Sequence, residues 1–212
     1  MRLGIFGGTF NPIHFGHLRA AEAVRDLIDL DKVIFMPSGN PPLKASGLAD
    51  ASRRYAMTRL ATQTNVNFLV SDIEMRENEK SYTVDTIDRL SVTYPDDRLF
   101  FILGLDAFLD LPNWREPERV IGSIDFIIVA RPGFEVKELN ASPFIESAVS
   151  EFRDGVISRR LRGGRTAFIA AVSAFDISST TIRQLVREGR SIKYLVPESV
   201  EQYLLSHNLY SE

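Results

Sequence analysis

The 212-residue sequence contains no cysteine. Disulfide bonds, cysteine–zinc sites and thiol catalysis are therefore excluded, and the composition suits a reducing compartment. No apolar run approaches the roughly 18 residues that a membrane-spanning helix requires, and the opening residues MRLGIF lack the apolar core of a signal peptide. We therefore expect a cytoplasmic protein without a membrane partner.

Positive charge is scarce as well. The 25 lysines and arginines are outnumbered by 28 acidic residues, the net charge is −3, and the longest basic stretch is SRRLRGGR at residues 158–165. Proteins that bind a nucleic acid backbone usually carry a basic face, so we expect no nucleic acid partner. The hydrophobic fraction of 44% is ordinary for a globular chain that buries a core.

Six short apolar runs are separated mostly by helix-like stretches. The runs are continuous rather than alternating, which is typical of parallel strands buried on both faces; they cover residues 3–6, 32–37, 67–72, 98–104, 125–131 and 167–172. This order predicts an α/β fold with a doubly wound, mostly parallel sheet. We expect residues 1–212 to form a single domain, with residues 173–212 as its small helical C-terminal part. Between residues 132 and 166 we expect a short helix around SPFIESAVSEF and then a charged loop.

Histidine is rare, yet two of the three histidines lie together in GGTFNPIHFGH, directly after the first apolar run. Gly7 and Gly8 carry no side chain, so their backbone N–H groups can approach an anion closely, and the start of a helix adds a favourable dipole. His14 and His17 are three apart and share one face of a helical turn. Gly16 is expected to keep that face open to a bulky ligand.

Three explanations compete for this histidine pair: a structural role, a metal site or an anion site. A zinc site needs further ligands, and the remaining histidine, His207, lies in the tail. An anion site accounts for the glycines, the hydroxyl, the helix start and the two imidazoles together. Neither a Walker loop nor a G-x-G-x-x-G fingerprint occurs, so the predicted phosphate cradle is of another type.

A second candidate phosphate site lies in DISSTTIRQLVREG at residues 176–189. Ser178, Ser179 and Thr180 are candidate N-caps, and Gly189 is placed to end the helix. Arg183 lies one turn in, on the side of Ser179 and Thr180. The plain interpretation is a well-capped helix, and the sharper one is a polyphosphate clamp of hydroxyls, free N–H groups and a guanidinium.

Together, GGTFNPIHFGH and ISSTTIR resemble the H-x-G-H nucleotidyltransferase superfamily, whose Rossmann-like nucleotidyltransferase fold agrees with the predicted sheet. PSGNPPLK, SYTVDTI, GLDAFLDLPNWRE and VARPG, in that order, resemble bacterial nicotinate-nucleotide adenylyltransferase. Leu43 departs from that family, whose proline loop usually reads P-P-H-K, whereas Lys44 is kept. The leucine in GLDA, where alanine is usual, is a milder departure.

The resemblance implies adenylyl transfer from ATP to nicotinate mononucleotide, giving nicotinate adenine dinucleotide and pyrophosphate in NAD biosynthesis. It assigns catalysis to His14, His17, Lys44 and Arg183. It assigns ATP binding to Gly7, Gly8, Thr9, Phe10, His14, His17, Gly104, Asp106, Ile177, Ser178, Ser179, Thr180 and Arg183. It assigns binding of the mononucleotide to Thr9, Lys44, Ser81, Tyr82, Thr83, Trp114 and Arg131.

Mg²⁺ is expected to be held mainly by the ATP phosphates, without protein metal ligands. Asp106 suits ribose hydroxyls, although an acidic residue there also caps helices. Trp114 suits a pyridine ring, although a lone tryptophan more often packs in a core. The N–H groups at the helix start after SYT suit the carboxylate of nicotinate. A homo-oligomer is left open.

Three other functions deserve comparison with this one. Pantetheine-phosphate adenylyltransferase shares the first motif but not SYTVDTI or PNWRE. A class I aminoacyl-tRNA synthetase fragment shares an echo of HFGH, but the chain lacks a lysine-rich second signature, an anticodon domain and a basic face. A non-catalytic nucleotide-binding regulator is disfavoured because His14, His17 and Arg183 are all intact.

Overall fold

A computed structural model describes residues 1–41, 47–75, 80–130, 135–146, 151–153, 156–172 and 175–211. Its centre is one eight-stranded sheet in the order β3-β2-β1-β4-β5-β8-β7-β6. The strands are β1 (Arg2–Gly8), β2 (Lys32–Pro37), β3 (Phe68–Val70), β4 (Arg98–Gly104), β5 (Asp125–Ala130), β6 (Glu151–Arg153), β7 (Val156–Arg160) and β8 (Thr166–Ala171).

Six neighbouring strands, β1 to β5 and β8, run parallel, and β7 and β6 complete the sheet in antiparallel orientation. The chain builds outward from β1 through β2 to β3 and then crosses to β4 on the other side of β1. The strand order therefore reverses between β1 and β4, and ligands bind at the carboxyl edge of such a switch point. Gly7, Gly8 and Gly104 lie at that edge.

Seven α-helices are described: α1 (Phe15–Leu27), α2 (Ala51–Thr62), α3 (Thr83–Thr93), α4 (Leu105–Leu109), α5 (Pro117–Ser123), α6 (Ser179–Arg187) and α7 (Glu198–Ser206). Successive strand side chains point to opposite faces of the sheet, so Ile102 of β4 belongs to one core cluster and Phe101 and Leu103 to the other. Helices α1, α2, α6 and α7 pack on the first face, and α3, α4 and α5 on the second. The predicted doubly wound α/β sheet is confirmed.

One predicted segment is wrong. The stretch around SPFIESAVSEF holds no α-helix among its described residues: Ile145 forms an isolated bridge with Leu161, and residues 151–153 are strand β6. The expected charged loop contains β7, which pairs with β8. The charged side chains in VISRR do not fit the continuous apolar pattern of a strand that is covered on both faces. Strand β7 does not need that pattern, because it lies in the antiparallel part of the sheet.

Within the described ranges, no helix combines the length and the apolarity that crossing a membrane would take.

Candidate active site

The loop after β1 forms the floor of the site. Gly7 and Gly8 approach aromatic rings so closely that an added Cβ would lie 3.1 Å from Phe101 Cζ and 3.2 Å from Phe10 Cζ, respectively. Phe10 itself is buried and has a positive φ of 45°. Gly8 therefore packs on Phe10 of the first core cluster, whereas Phe101 of the second cluster lines a cavity together with Gly7, Gly8 and Thr9.

The two histidines stack at the start of α1. His14 is the N-cap residue and His17 lies in the first turn, with ring centroids 3.7 Å apart and ring planes inclined by 27°. The backbone N–H of His14 donates to Nδ1 of His17 over 3.3 Å. Because Nδ1 of His17 accepts, the neutral ring carries its proton on Nε2 and can donate there.

Gly16 has a different role from the one expected. A Cβ at this position would lie 2.9 Å from Nδ1 and 3.0 Å from Cε1 of His14. The missing side chain therefore makes room for the His14 ring rather than for a ligand.

His14 is held as a neutral donor. It is 5% exposed, and its buried Nδ1 has no hydrogen-bond partner within the described part of the chain. Burial lowers the pKa of His14 from 6.5 to about 4 because the charged imidazolium is poorly solvated there. A lone pair is cheaper to bury unpaired than an N–H donor, so we infer that the proton lies on Nε2, the nitrogen opposite the buried one.

The start of α6 lies against the same loop. Ser178 is the N-cap, and its Oγ accepts from the backbone N–H of Thr181 over 3.1 Å. Ser179 Oγ donates to the carbonyl of Pro12 over 2.9 Å. Helices α1 and α6, whose starts are 164 residues apart in sequence (179 − 15), therefore present their N-terminal ends side by side.

Arg183 is fixed by the same contacts. One guanidinium nitrogen donates to the carbonyl of Asn11 over 2.8 Å and the other to Thr180 Oγ1 over 3.3 Å. Asn11 in turn accepts from Tyr210 through its side-chain oxygen over 2.5 Å. The structure thus brings both sequence motifs together, and Arg183 of the second motif bonds directly to Asn11 of the first.

Three other residues expected at the nucleotide lie on neighbouring elements. Ile177 is half-buried just before α6 and packs on the core. Gly104 ends β4, and a Cβ there would meet no atom within 4 Å, so the space beside it is open. Asp106 is exposed in the first turn of α4.

A cavity of about 380 Å³ extends from the β1 loop to α3. Its walls combine the glycine loop with aromatic and polar side chains, and they include Gly7, Gly8, Thr9, Ser81, Tyr82, Thr83 and Trp114. Trp114 is half-buried and packs against the second core cluster while still lining the cavity. The guanidinium of Arg115 lies 4.8 Å from the centroid of the Tyr82 ring and 3.3 Å from Asp85.

Four residues of the site were not among the residues expected there, although Asn11 lies within GGTFNPIHFGH. Arg54 is 1% exposed and donates to three backbone carbonyls, among them that of Thr9. Glu74 lines the cavity, and burial raises the pKa of its carboxyl. Tyr210 donates to Asn11 in the phosphate loop, the segment between β1 and α1 at residues 9–14. Each acts through partners distant in sequence, so no local pattern could have revealed them.

Two expected site residues, Lys44 and Arg131, lie outside the described residues, as does Leu43. The other expected residues all border the switch-point edge of the sheet. There, the starts of α1 and α6 bring imidazoles, hydroxyls and a guanidinium to the loop after β1, and Gly7, Gly8 and Thr9 before and in that loop line the aromatic cavity. Such donors suit phosphate oxygens, and the aromatic walls suit a flat heterocycle.

A family model described as cytidylyltransferase-like matches residues 5–185, and the chain belongs to this family of nucleotidyltransferases. Within the family, the chain is specifically similar to nicotinate-nucleotide adenylyltransferases. The probable nicotinate-nucleotide adenylyltransferase of Geobacter metallireducens is 46% identical and that of Geotalea uraniireducens 44% identical, each over 100% of this chain and 99% of the relative. The expected resemblance to nicotinate-nucleotide adenylyltransferases is confirmed.

Solved structures agree on the fold. Plasmodium falciparum nicotinic acid mononucleotide adenylyltransferase complexed with NaAD superposes with a TM-score of 0.77 at 19% identity, covering 99% of this chain and 97% of that one. A putative nicotinate-nucleotide adenylyltransferase from Vibrio parahaemolyticus gives a TM-score of 0.66 at 20% identity, covering 100% and 97%.

Proposed function

We propose that the protein transfers the adenylyl group of ATP to nicotinate mononucleotide, producing nicotinate adenine dinucleotide and pyrophosphate in NAD biosynthesis. The observation that carries this proposal is the continuity of the cavity. It runs without interruption from Gly7 and the phosphate-loop residue Thr9 to Tyr82 and Trp114. A mononucleotide with its ring at Trp114 can therefore extend its phosphate to the β1 loop, where ATP would present its α-phosphate.

The chemistry is an in-line displacement. A phosphate oxygen of the mononucleotide attacks the α-phosphorus of ATP, and the bond from that phosphorus to the bridging oxygen of the β-phosphate breaks. The attacking phosphate is already ionised at neutral pH, so no protein base has to remove a proton. Catalysis then consists of orienting the two substrates and stabilising the charge of the transition state.

The donors of the two motifs divide this work. His14 and His17 bind oxygens around the α- and β-phosphates, with the backbone of Gly7, Gly8 and Thr9 beneath them. Because His14 is neutral in the physiological range, it contributes a hydrogen bond rather than a charge. His17 is placed to donate through Nε2 as negative charge builds on the leaving group.

The start of α6 holds the leaving group. Ser179, Thr180 and Arg183 bind the β- and γ-phosphates, which leave as pyrophosphate. The contact from Arg183 to the carbonyl of Asn11 fixes the guanidinium before ATP arrives, and this preorganisation lowers the cost of binding. Ile177 and Ser178 border the nucleotide as backbone contacts, and Phe10 supports the loop from below.

The remaining assignments concern the two nucleosides and the loops above them. Gly104 and Asp106 receive the ribose and adenine end of ATP. Ser81, Tyr82, Thr83 and Trp114 receive the nicotinate ring and its carboxylate. Lys44 and Arg131 are assigned to the substrate phosphates on the family resemblance alone.

Mg²⁺ fits this site as a companion of ATP rather than as a resident ion. Within the described ranges, no group of three or more His, Cys, Asp or Glu side chains could hold a metal. The donor set of imidazoles, hydroxyls and a guanidinium matches phosphate oxygens rather than a metal ion. When bound to the triphosphate, Mg²⁺ supplies neutralising charge.

A pyrophosphate-release assay with ATP and a panel of acceptors tests the proposal. We expect turnover with nicotinate mononucleotide, much less with nicotinamide mononucleotide and none with pantetheine phosphate. Turnover with pantetheine phosphate alone would reassign the substrate. Binding of ATP without turnover of any acceptor would indicate a regulator instead.

A further inference from the structure

The backbone of Gly39, in the loop after β2, is held by the buried side chain of Arg54 and the half-buried side chain of Glu74. Its carbonyl accepts from Nη2 of Arg54 over 2.9 Å. Its N–H donates to the carboxyl of Glu74. A Cβ at Gly39 would lie 2.0 Å from the backbone oxygen of Glu74, so only glycine allows this approach.

Arg54 connects Gly39 to the phosphate loop. Its Nη1 donates to the carbonyl of Thr9 and its Nε to that of Ala49, both over 2.9 Å. The planar guanidinium thus ties together three segments whose residues are 10 to 40 positions apart (49 − 39 and 49 − 9). A lysine could reach at most one or two of these carbonyls, because its ammonium lacks the rigid fork.

Glu74 connects Gly39 to the pyridine end of the cavity. Its carboxyl accepts from Thr86 Oγ1 over 2.8 Å and from the Ser81 hydroxyl. Ser81 Oγ in turn accepts from the N–H of Asn40 over 3.2 Å, and Ser81 N–H donates to the carbonyl of Asn40 over 3.0 Å. The segment at residues 39–40 is therefore bonded to the start of α3.

We propose that Arg54 and Glu74 are positioning residues which, through the backbone N–H and carbonyl of Gly39, set the distance between the phosphate loop and the part of the cavity lined by Tyr82 and Trp114. The inference rests on the proposed function, because that distance decides whether the mononucleotide phosphate meets the α-phosphorus of ATP in line. Misplacement of reacting groups by about 1 Å can cost on the order of 100-fold in rate. Neither side chain has to touch a reacting atom.

Stability alone is a weak reason for such a pair. Burying charges is costly, and apolar replacements of similar volume often stabilise a fold at least as well. A polar bridge with a defined geometry instead specifies one arrangement of its neighbours. The readout must therefore be a coupling in catalysis, not a loss of folded protein.

The experiment is a double-mutant cycle on the full chain with Glu74→Gln and Arg54→Lys. Each single change removes donors or acceptors from the bridge, and we expect each to lower kcat/KM for nicotinate mononucleotide by about tenfold or more. Because both act through Gly39, the double variant should lose no more than about threefold beyond the worse single variant. Glu118→Gln and Arg59→Lys, on exposed parts of α5 and α2, are the matched controls and should stay within about twofold of the parent.

Two results would overturn the bridge. One is a double variant whose loss is the product of the single losses. The other is a pair of single variants with lower melting temperatures but unchanged kcat and KM in the folded fraction. If Arg54→Lys does not fold, Arg54→Gln takes its place in the cycle, since it also removes donors to the carbonyls of Thr9, Gly39 and Ala49.

Hydrogen exchange tests the same coupling without turnover. Arg54→Lys alters the phosphate-loop end, yet amides 83–86 of α3 should exchange faster than in Arg59→Lys. Unchanged exchange there would contradict the bridge. If the parent itself fails to convert nicotinate mononucleotide, the proposed function fails, and this exchange result still decides whether the two ends are coupled.

Discussion

The two ends of the proposed site differ in how strongly their charged and polar side chains are held in place. At the phosphate end, His14 is buried and Arg183 is bonded to a backbone carbonyl. At the pyridine end, Arg115 and Asp85 form an ion pair whose side chains remain 50% and 38% exposed. A partly exposed ion pair contributes little and is easily rearranged. Substitutions at the phosphate end should therefore damage catalysis, whereas those at the pyridine end should mainly change affinity and selectivity.

The largest effect is expected at the phosphate end, from His17→Ala. Removing one donor to developing charge typically costs about 100- to 1,000-fold in kcat. The KM for ATP should change much less, because this contact strengthens in the transition state. His207→Ala is the matched control, since His207 is exposed and stacks on Tyr203 of the C-terminal helix α7, away from the site. A His17→Ala enzyme within about threefold of the parent would remove the assigned role.

A second test uses the low pKa of His14. As the pH falls below 6.5 the unfolded chain takes up a proton at this residue, but the folded protein does not until about pH 4. The stability that His14 contributes is therefore present above pH 6.5 and is lost progressively down to pH 4. The full loss amounts to roughly 3 kcal/mol at 1.36 kcal/mol per pKa unit.

Urea unfolding at pH 6.5 and pH 4.5 measures this loss. The parent should lose more stability over that interval than a His14→Asn variant, in which the titrating ring is absent. Parallel pH dependence in the two proteins would mean that His14 is not held neutral by burial.

At the pyridine end we expect a smaller, selective effect. The helix-start N–H groups of α3 favour a carboxylate, and a carboxamide would leave one of its own donors unpaired there. An unpaired buried polar group costs about 1–3 kcal/mol, so kcat/KM for nicotinate mononucleotide should exceed that for nicotinamide mononucleotide by about 5- to 150-fold. Equal values would show that this pocket does not distinguish the acid from the amide.

Trp114→Ala separates stacking from charge recognition. It should raise KM for both mononucleotides alike and leave their ratio nearly unchanged. A changed ratio would place the tryptophan beside the carboxylate rather than on the ring face.

The smallest effect is expected behind the phosphate loop, from Tyr210→Phe. It removes one hydrogen bond to Asn11, whose oxygen keeps the N–H of Ala49 at 3.0 Å. A net loss of about 1 kcal/mol in the free energy of unfolding is expected, with kcat reduced by less than about threefold. A loss of activity as large as that of His17→Ala would show that the phosphate loop depends on Tyr210 far more than on its contacts with Ser179 and Arg183.

The same contrast explains what the sequence could predict. Several features of the phosphate end follow short-range rules: a serine N-cap, an i, i+3 histidine pair and glycines at the end of a strand. These rules depend on neighbours a few residues away, and from the sequence alone they indicate an N-cap at Ser178 and a shared helix face for His14 and His17.

The bridge between the two ends, formed by Arg54, Gly39 and Glu74, rests instead on contacts between segments that are distant in sequence. Arg54 and Glu74 look like ordinary charged residues of a helix and a loop, and only tertiary packing buries them. Strand β7 could not be predicted for a related reason: its charged residues form a strand because they pair with β8, and this pairing leaves no local pattern in the sequence. Periodicity and capping cannot reveal such features, because their partners are not neighbours in the chain.

The bond between Asn11 and Tyr210 joins residues 199 positions apart, and this spacing has a consequence for biosynthesis. A ribosome delivers the first motif early and Tyr210 only after nearly all the other described residues. During most of translation, Asn11 therefore lacks the hydrogen bond from Tyr210. Helix α6, whose Arg183 donates to the carbonyl of Asn11, has not yet been synthesised. For most of its synthesis the nascent chain can form part of the sheet, but the proposed ATP-binding site is incomplete.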